Sequence, residues 1–239
     1  MEVNRMKDTV FLNEKELSAQ EVLLARESIV AMGKELIERK LVAGSWGNIS
    51  VKLADGVYAV TPSGRGYANQ KPEDIIIIDD ACDTLDGEHT PSSESKLHTA
   101  IYNACPEAKA IIHTHSIYAS ALAAMRKPVP AIIEDIVQII GGRVNCAEYA
   151  LPGTQELADN AVAALNGRKA VLLANHGAVC WGKSLEDALI VCEILEKAAQ
   201  IAIICQSCGG AIELSNEDAE IMHDFYEKHY SKRQMGTEK

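Results

Sequence analysis

The chain has 239 residues, with 23 Lys and Arg against 34 Asp and Glu and a formal net charge of −11. Such a surface repels phosphate backbones, which argues against a nucleic-acid partner. No stretch reaches the roughly 18–20 unbroken apolar residues of a membrane span, and Met1–Asp8 lacks the apolar core of a secretion signal. The expectation is a cytoplasmic protein with no membrane partner. Its seven cysteines, most of them in apolar contexts such as Cys105, Cys146, Cys180 and Cys192, then read as reduced thiols rather than a disulfide framework.

In chain order, the residues before Ser18 are polar and read as loosely packed. Ser18-Ala19-Gln20-Glu21 is a capping box that opens a helix to about Arg39, with Val22, Ile29, Met32, Leu36 and Ile37 on one stripe. The period then changes to two. Residues 48–53 and 57–61 flank Ala54-Asp55-Gly56 as a hairpin, and 75–78 reads as a buried strand. Ser93 is placed to cap a helix from Glu94 to about Ala104, which stops ahead of Pro106.

Residues 110–115 form the next predicted strand, followed by a helix over 117–125. The apolar run 132–140 is interrupted by Glu134, Asp135 and Gln138 and fits neither period. Thr154 caps a helix to about Leu165, and strands over 170–174 and 178–181 enclose Asn175-His176-Gly177. Ser184 opens a long helix to about Ser207, and Ser215 opens the last. Helices and strands interleave from end to end with no linker or repeat. A single α/β domain spanning 1–239, with much of its sheet antiparallel, is therefore expected.

Chemistry concentrates at four residues. His113 and His115 sit at i and i+2, a spacing that places both on one face of a strand. His176 lies in a turn between two strands, and Glu94 opens a helix, where a carboxylate is also favoured by the macrodipole. Three imidazoles and a carboxylate suit a borderline-soft divalent metal such as zinc. His98 lies one turn beyond Glu94 and reads as a supporting or packing residue; His89, His223 and His229 read as surface histidines. Cys205-Gln206-Ser207-Cys208 lies near the end of a helical pattern, the wrong context for a redox or metal motif. Two loops, Gly44-Ser45-Trp46-Gly47-Asn48 and Thr61-Pro62-Ser63-Gly64, together with Ser92-Ser93 at a helix start, offer amides and hydroxyls to a phosphate.

The ordered series Gly44–Ser50, Thr61–Gly64, Pro91–Glu94, His113–Ser116 and Asn175–Gly177 resembles the class II aldolase/adducin family over about Ser18–Gln206. The resemblance implies a three-layer αβα fold around a largely antiparallel sheet, and a C4 homotetramer with active sites between subunits. By motif position, His113, His115 and His176 would ligate the metal, usually zinc, with Mn²⁺ or Co²⁺ as the other options. Glu94 would be the acid/base, and Asn48, Ser63, Gly64, Ser92 and Ser93 would cradle a phosphate.

The activity implied is that of an L-fuculose-1-phosphate-like aldolase. It would cleave a ketose 1-phosphate reversibly to dihydroxyacetone phosphate and an aldehyde through a metal-stabilised enediolate. Related members are L-ribulose-5-phosphate 4-epimerases, methylthioribulose-1-phosphate dehydratases and sugar-acid phosphate decarboxylases, besides non-enzymatic adducin-type modules, which lack the metal residues. The epimerases resemble this chain at Trp46 but typically carry Asp where it has Glu94. The chain also departs from the family aldolases within 130–142, where Glu134 and Asp135 stand in place of a Tyr. Tyr226 and Tyr230 are the candidates for a second Tyr contributed by the C-terminal segment.

Overall fold

Alternation along the strands decides which side chains meet which helices. A computed structural model describes residues 9–12 and 14–230; the segment Met1–Asp8, expected to carry no signal core, lies outside them. The strands are β1 (Thr9–Leu12), β2 (Lys15–Ser18), β3 (Asn48–Ala54), β4 (Val57–Val60), β5 (Ile76–Asp79), β6 (Thr84–Asp86), β7 (Ala110–Thr114), β8 (Cys146–Ala147), β9 (Ala170–Leu173) and β10 (Gly177–Gly182). The helices are α1 (Ala19–Glu38), α2 (Ser95–Ala104), α3 (Ile117–Ala124), α4 (Gln155–Leu165), α5 (Leu185–Ser207) and α6 (Asn216–Phe225). Strands β3 to β10 build one eight-stranded sheet in the order β6-β5-β4-β3-β7-β10-β9-β8. Every pairing in it is antiparallel except β8 with β9.

The two faces carry different helices. Ile49, Ala110, Ile112, Leu172 and Ala178 pack with Ile29 and Leu36 of α1, Leu122 of α3 and Leu195 of α5. The alternate residues Tyr58, Ile111, Val171, Val179 and Trp181 pack with Leu97 and Ile101 of α2 and with Leu157 and Leu165 of α4. This is the expected three-layer αβα arrangement. Continuing the alternation past Ile111 puts His113 on the α2 side, together with Asn48 and Ser50 of β3. Those positions are polar because they face polar groups on and before α2: Asn48 and Ser50 meet His98, Ser50 also meets Tyr102, and His113 meets Glu94.

Several elements differ from the sequence reading. The polar N-terminal stretch is a hairpin, β1 paired with β2, whose Leu12 and Leu17 are buried. Strands β6 and β8, which the sequence reading lacks, are only three and two residues long. The run 132–140 resolves into a π-helical turn, Ile136–Ile140, closed by Gly141 in the left-handed region at φ 99°. A second such turn, Tyr226–Tyr230, follows α6. Among the described residues no helix is long and apolar enough to cross a membrane.

Candidate active site

The site lies where β3, β7 and β10 end beside the start of α2. Asn48 of β3 pairs with His113 of β7, and Val179 of β10 pairs with His113 from the other side. Two glycines permit this packing. A Cβ at Gly47 would stand 2.5 Å from the His113 carbonyl oxygen, and one at Gly177 would stand 2.3 Å from that of Thr114. The Asn175-His176-Gly177 turn is equally determined by its residue types. Asn175 takes the left-handed region at φ 57°, which Asn tolerates. His176 N–H donates to Leu173 O at 3.0 Å, fixing the turn. Gly177→Ala is therefore expected to destabilise the fold by about 2–3 kcal/mol through overpacking against backbone, with a matching drop in the thermal midpoint.

These constraints bring His113, His115 and His176 together, with one ligand nitrogen from each within 4.8 Å of the others. Their ring centroids are 4.7–4.9 Å apart and roughly edge-to-face. His113 is fully buried, and its Nδ1 donates to Ala178 O at 2.9 Å. Only Nε2 is then left to face the cluster, 2.9 Å from His115 Nε2. Anchoring one ring nitrogen on a carbonyl is how proteins fix a metal-ligating imidazole. His115 itself falls one residue beyond β7, yet it keeps the face that the i, i+2 spacing demands.

Helix α2 begins one residue later than expected, so Glu94 is the residue before it and not its first. Ser93 is not the cap; Ser92 Oγ accepts from Glu94 N–H at 3.3 Å. The Glu94 carboxylate makes no capping bond and turns into the cluster. Its Oε2 stands 3.2 Å from His113 Nε2 and its Oε1 3.5 Å from His176 Nε2. Asn48 Nδ2 donates to Oε2 at 2.8 Å, while Oε1 is buried with no hydrogen-bond partner.

Burial pushes the Glu94 carboxyl up. The positive charge that His113 and His176 can carry, the Asn48 amide and His98 outweigh it and hold the group below the usual carboxylate range. Burial, reinforced by His113, pushes His115 down to about 3 and His176 down to about 4. These two imidazoles are therefore neutral at pH 7, the state a metal requires. Three convergent nitrogens and a carboxylate oxygen without a partner fit a divalent ion of zinc type.

A cleft of about 270 Å³ opens above this group. Its walls include Asn48, Ser63, Gly64, Ser92 and Ser93, the five residues expected at a phosphate, and Glu94, His115 and His176 reach it from below. The Ser63 and Ser92 amides are committed to Thr90 O and Thr61 O at 2.9 and 3.1 Å. The Gly64 and Ser93 amides and the serine hydroxyls thus remain as donors for an anion. Trp46 is 66% exposed at the mouth, its ring 5.7 Å from that of His115.

The other candidates lie elsewhere. Asp135 pairs with Lys197 and Glu134 is exposed. Tyr226 is buried in the core at the start of the second π-helical turn. Of Tyr230 only the backbone belongs to the described part. His89 and His223 are half-buried instead of free on the surface, His89 Nε2 at 2.9 Å from Asp74 Oδ1 and His223 Nδ1 donating to Gln138 O at 2.9 Å. Only His229 is exposed as expected. Cys205 and Cys208 are free thiols, like the other five cysteines.

Of the two roles expected for His98, supporting or packing, the structure favours the first. It is buried, with Nε2 2.5 Å from Asn48 Oδ1 and Nδ1 2.6 Å from Ser50 Oγ. Burial first, and then His113, push it down to about 3, against roughly 6.5 in the unfolded chain. The unfolded state therefore binds more protons between those values. Stability is expected to be lost as pH falls below about 6.5, on the order of 1.4 kcal/mol per unit from this group alone, and to be flat above it. Urea midpoints at pH 7.5 and pH 5, compared with those of His98→Gln, would read this out as a shallower pH dependence in the variant.

Comparison with known proteins gives the family. The family model described as "Class II Aldolase and Adducin N-terminal domain" matches residues 27–203, and the chain belongs to that family. A 5-deoxy-D-ribulose 1-phosphate aldolase of Bacillus thuringiensis serovar kurstaki is 38% identical over 196 residues, covering 82% of this chain and 92% of its own. An L-fuculose phosphate aldolase of Escherichia coli O6:H1 is 36% identical over 178 residues, covering 74% and 81%. The solved structure of an L-fuculose 1-phosphate aldolase superposes with a TM-score of 0.82 at 37% identity, covering 85% of this chain and 96% of that one. The chain is accordingly an aldehyde-lyase of the class II aldolase type.

Proposed function

We propose that the chain cleaves a ketose 1-phosphate reversibly to dihydroxyacetone phosphate and an aldehyde, with His113, His115 and His176 holding a divalent metal, zinc foremost. The observation that carries this reading is the convergence of three imidazoles and an unpartnered Glu94 oxygen beneath a cleft lined with serine hydroxyls and backbone amides. A metal held there would supply Lewis-acid polarisation of the substrate's oxygens.

The chain's own residues account for the rest. Gly64, Ser93 and the hydroxyls of Ser63 and Ser92 bind the phosphate, aided by the remaining Asn48 N–H. This fixes the distance from the phosphate to the bond that breaks. In cleavage the C3–C4 bond breaks, the C4 hydroxyl loses its proton as the aldehyde forms, and C3 gains one. Glu94 lies beside the cluster with Oε1 free and is the group that delivers or withdraws the C3 proton.

The two named relatives act, by their names, on five- and six-carbon sugar phosphates. Any ketose 1-phosphate cut between C3 and C4 yields the same dihydroxyacetone phosphate half, so the reading commits to the phosphate end and leaves the aldehyde open. Epimerisation of a pentulose 5-phosphate is the second reading, favoured by Trp46 and opposed by Glu at 94. We further propose a cytoplasmic C4 homotetramer. The seven free thiols support a reducing compartment, and the exposed Trp46 and Ile117 (66% and 70%) beside the site support a covering subunit.

Incubation with L-fuculose 1-phosphate, 5-deoxyribulose 1-phosphate and L-ribulose 5-phosphate separates the readings. Release of dihydroxyacetone phosphate from a 1-phosphate is the expected result. Turnover confined to the 5-phosphate, without fragment release, would replace the aldolase with the epimerase.

A further inference from the structure

The polar groups behind Glu94 form a chain with one self-consistent direction. Asn48 Nδ2 faces Glu94 Oε2 at 2.8 Å. The opposite amide flip would set a carbonyl oxygen against a carboxylate oxygen at that distance, two acceptors with no proton between them. The amide oxygen must then face His98 Nε2 at 2.5 Å, which has to be an N–H. A neutral imidazole protonated at Nε2 has a bare Nδ1, so Ser50 O–H donates to it at 2.6 Å. Ser50 Oγ in turn accepts from the Tyr102 hydroxyl at 2.9 Å. The side chains of all four residues are buried, so water offers no alternative partners, and complete burial of His98 keeps it neutral.

We infer that His98 is a positioning residue: as its Nε2–H tautomer it fixes the orientation of the Asn48 amide, which holds Glu94 Oε2 and leaves Oε1 free for proton exchange. The consequence for catalysis rests on the reading of Glu94 as the proton carrier. The two oxygens of one carboxylate thereby acquire different duties. Oε2 is tied through Asn48 to a chain ending at Tyr102, while Oε1 is buried with no partner and faces His176. Nothing local in α2 selects Oε1, since Glu94 makes no capping bond. The Asn48 amide makes the choice, and His98 holds that amide in place from the far side.

Two readouts test this. Long-range nitrogen–proton correlation spectra of the full chain labelled in histidine report the tautomer directly. A protonated Nε2 and a bare Nδ1 at His98 are expected, and the reverse tautomer or the doubly protonated ring would overturn the inference whether or not the chain turns over any sugar. The kinetic arm compares His98→Leu, which removes the donor to Asn48, with His98→Gln, which retains an N–H at the Nε2 position. The Leu variant should lose at least about tenfold in kcat, the equivalent of one net hydrogen bond of roughly 1.4 kcal/mol, with KM within about threefold. The Gln variant should recover to within about threefold of the parent. Equal losses in the two folded variants, or a change in KM alone, would reduce His98 to packing. If the Leu variant does not fold, Ser50→Ala serves instead: Asn48 Oδ1 still demands an N–H at Nε2, so the Nε2–H form should persist with kcat within about threefold of the parent, and a switch to the Nδ1–H form would contradict the chain's direction. A parent chain inert on every ketose phosphate would sink the aldolase reading and leave the tautomer result standing.

Discussion

His113→Ala is expected to remove metal binding and turnover together, with kcat below about a thousandth of the parent value. Three features of His113 make it the most sensitive of the three imidazoles. It is fully buried at the base of the cluster, it is the ring whose free nitrogen faces both His115 and Glu94, and its other nitrogen is fixed by Ala178 O. Removing a group that merely supports a metal ligand already weakens binding by about 10–100-fold, so losing a ligand from a three-imidazole set should exceed that range. Without the ion, the polarisation that makes C3–C4 cleavage possible is lost. The substitution also leaves a cavity and removes the His113 bond to Ala178 O, a destabilisation of about 2 kcal/mol or more. Metal retention measured beside melting separates the effects: a folded variant that keeps its metal would show that His113 is not a ligand.

Glu94→Gln should have the opposite profile, with metal retained and chemistry lost. Gln is close in shape to Glu and can still present an oxygen to the Asn48 amide. Its other terminus is an NH₂ that cannot take a proton from C3 or return one. General acid–base groups contribute roughly 10²–10⁴-fold, so kcat should fall within that range while KM stays within about threefold. Because phosphate binding is assigned to Gly64, Ser63, Ser92 and Ser93, substrate affinity should survive. Exchange of the C3 proton of dihydroxyacetone phosphate with solvent isolates the step from carbon–carbon cleavage. Exchange at the parent rate in this variant would remove Glu94 from the role.

Much of the site was legible because its residues carry backbone consequences. The i, i+2 spacing of His113 and His115 translates directly into one face of β7, and Asn175-His176-Gly177 is a turn whose first and last residues are there for conformation and close approach. The Ser18, Thr154, Ser184 and Ser215 caps each accept the predicted backbone bond. What could not be read depended on partners distant in sequence. The start of α3, just after His115, is capped by Glu196 of α5, which accepts from Tyr118 N–H and Ala119 N–H at 2.9 Å each. The hairpin β1–β2 has only two buried leucines to announce it. For His98 the choice between supporting and packing stayed open because its partners, Asn48 and Ser50, lie about fifty positions earlier; polar residues alternating along β3 at 48 and 50, opposite a helical His, were the available signal.

The central claim is that one divalent ion per chain, held by the three histidines, is required for aldol cleavage. Its most direct test is elemental analysis of the purified chain titrated against dihydroxyacetone phosphate release from a ketose 1-phosphate. The account predicts activity that rises in proportion to bound metal, saturates near one ion per chain, and disappears with the metal on chelation. Full turnover by a chain carrying less than about a tenth of an equivalent of metal would contradict it.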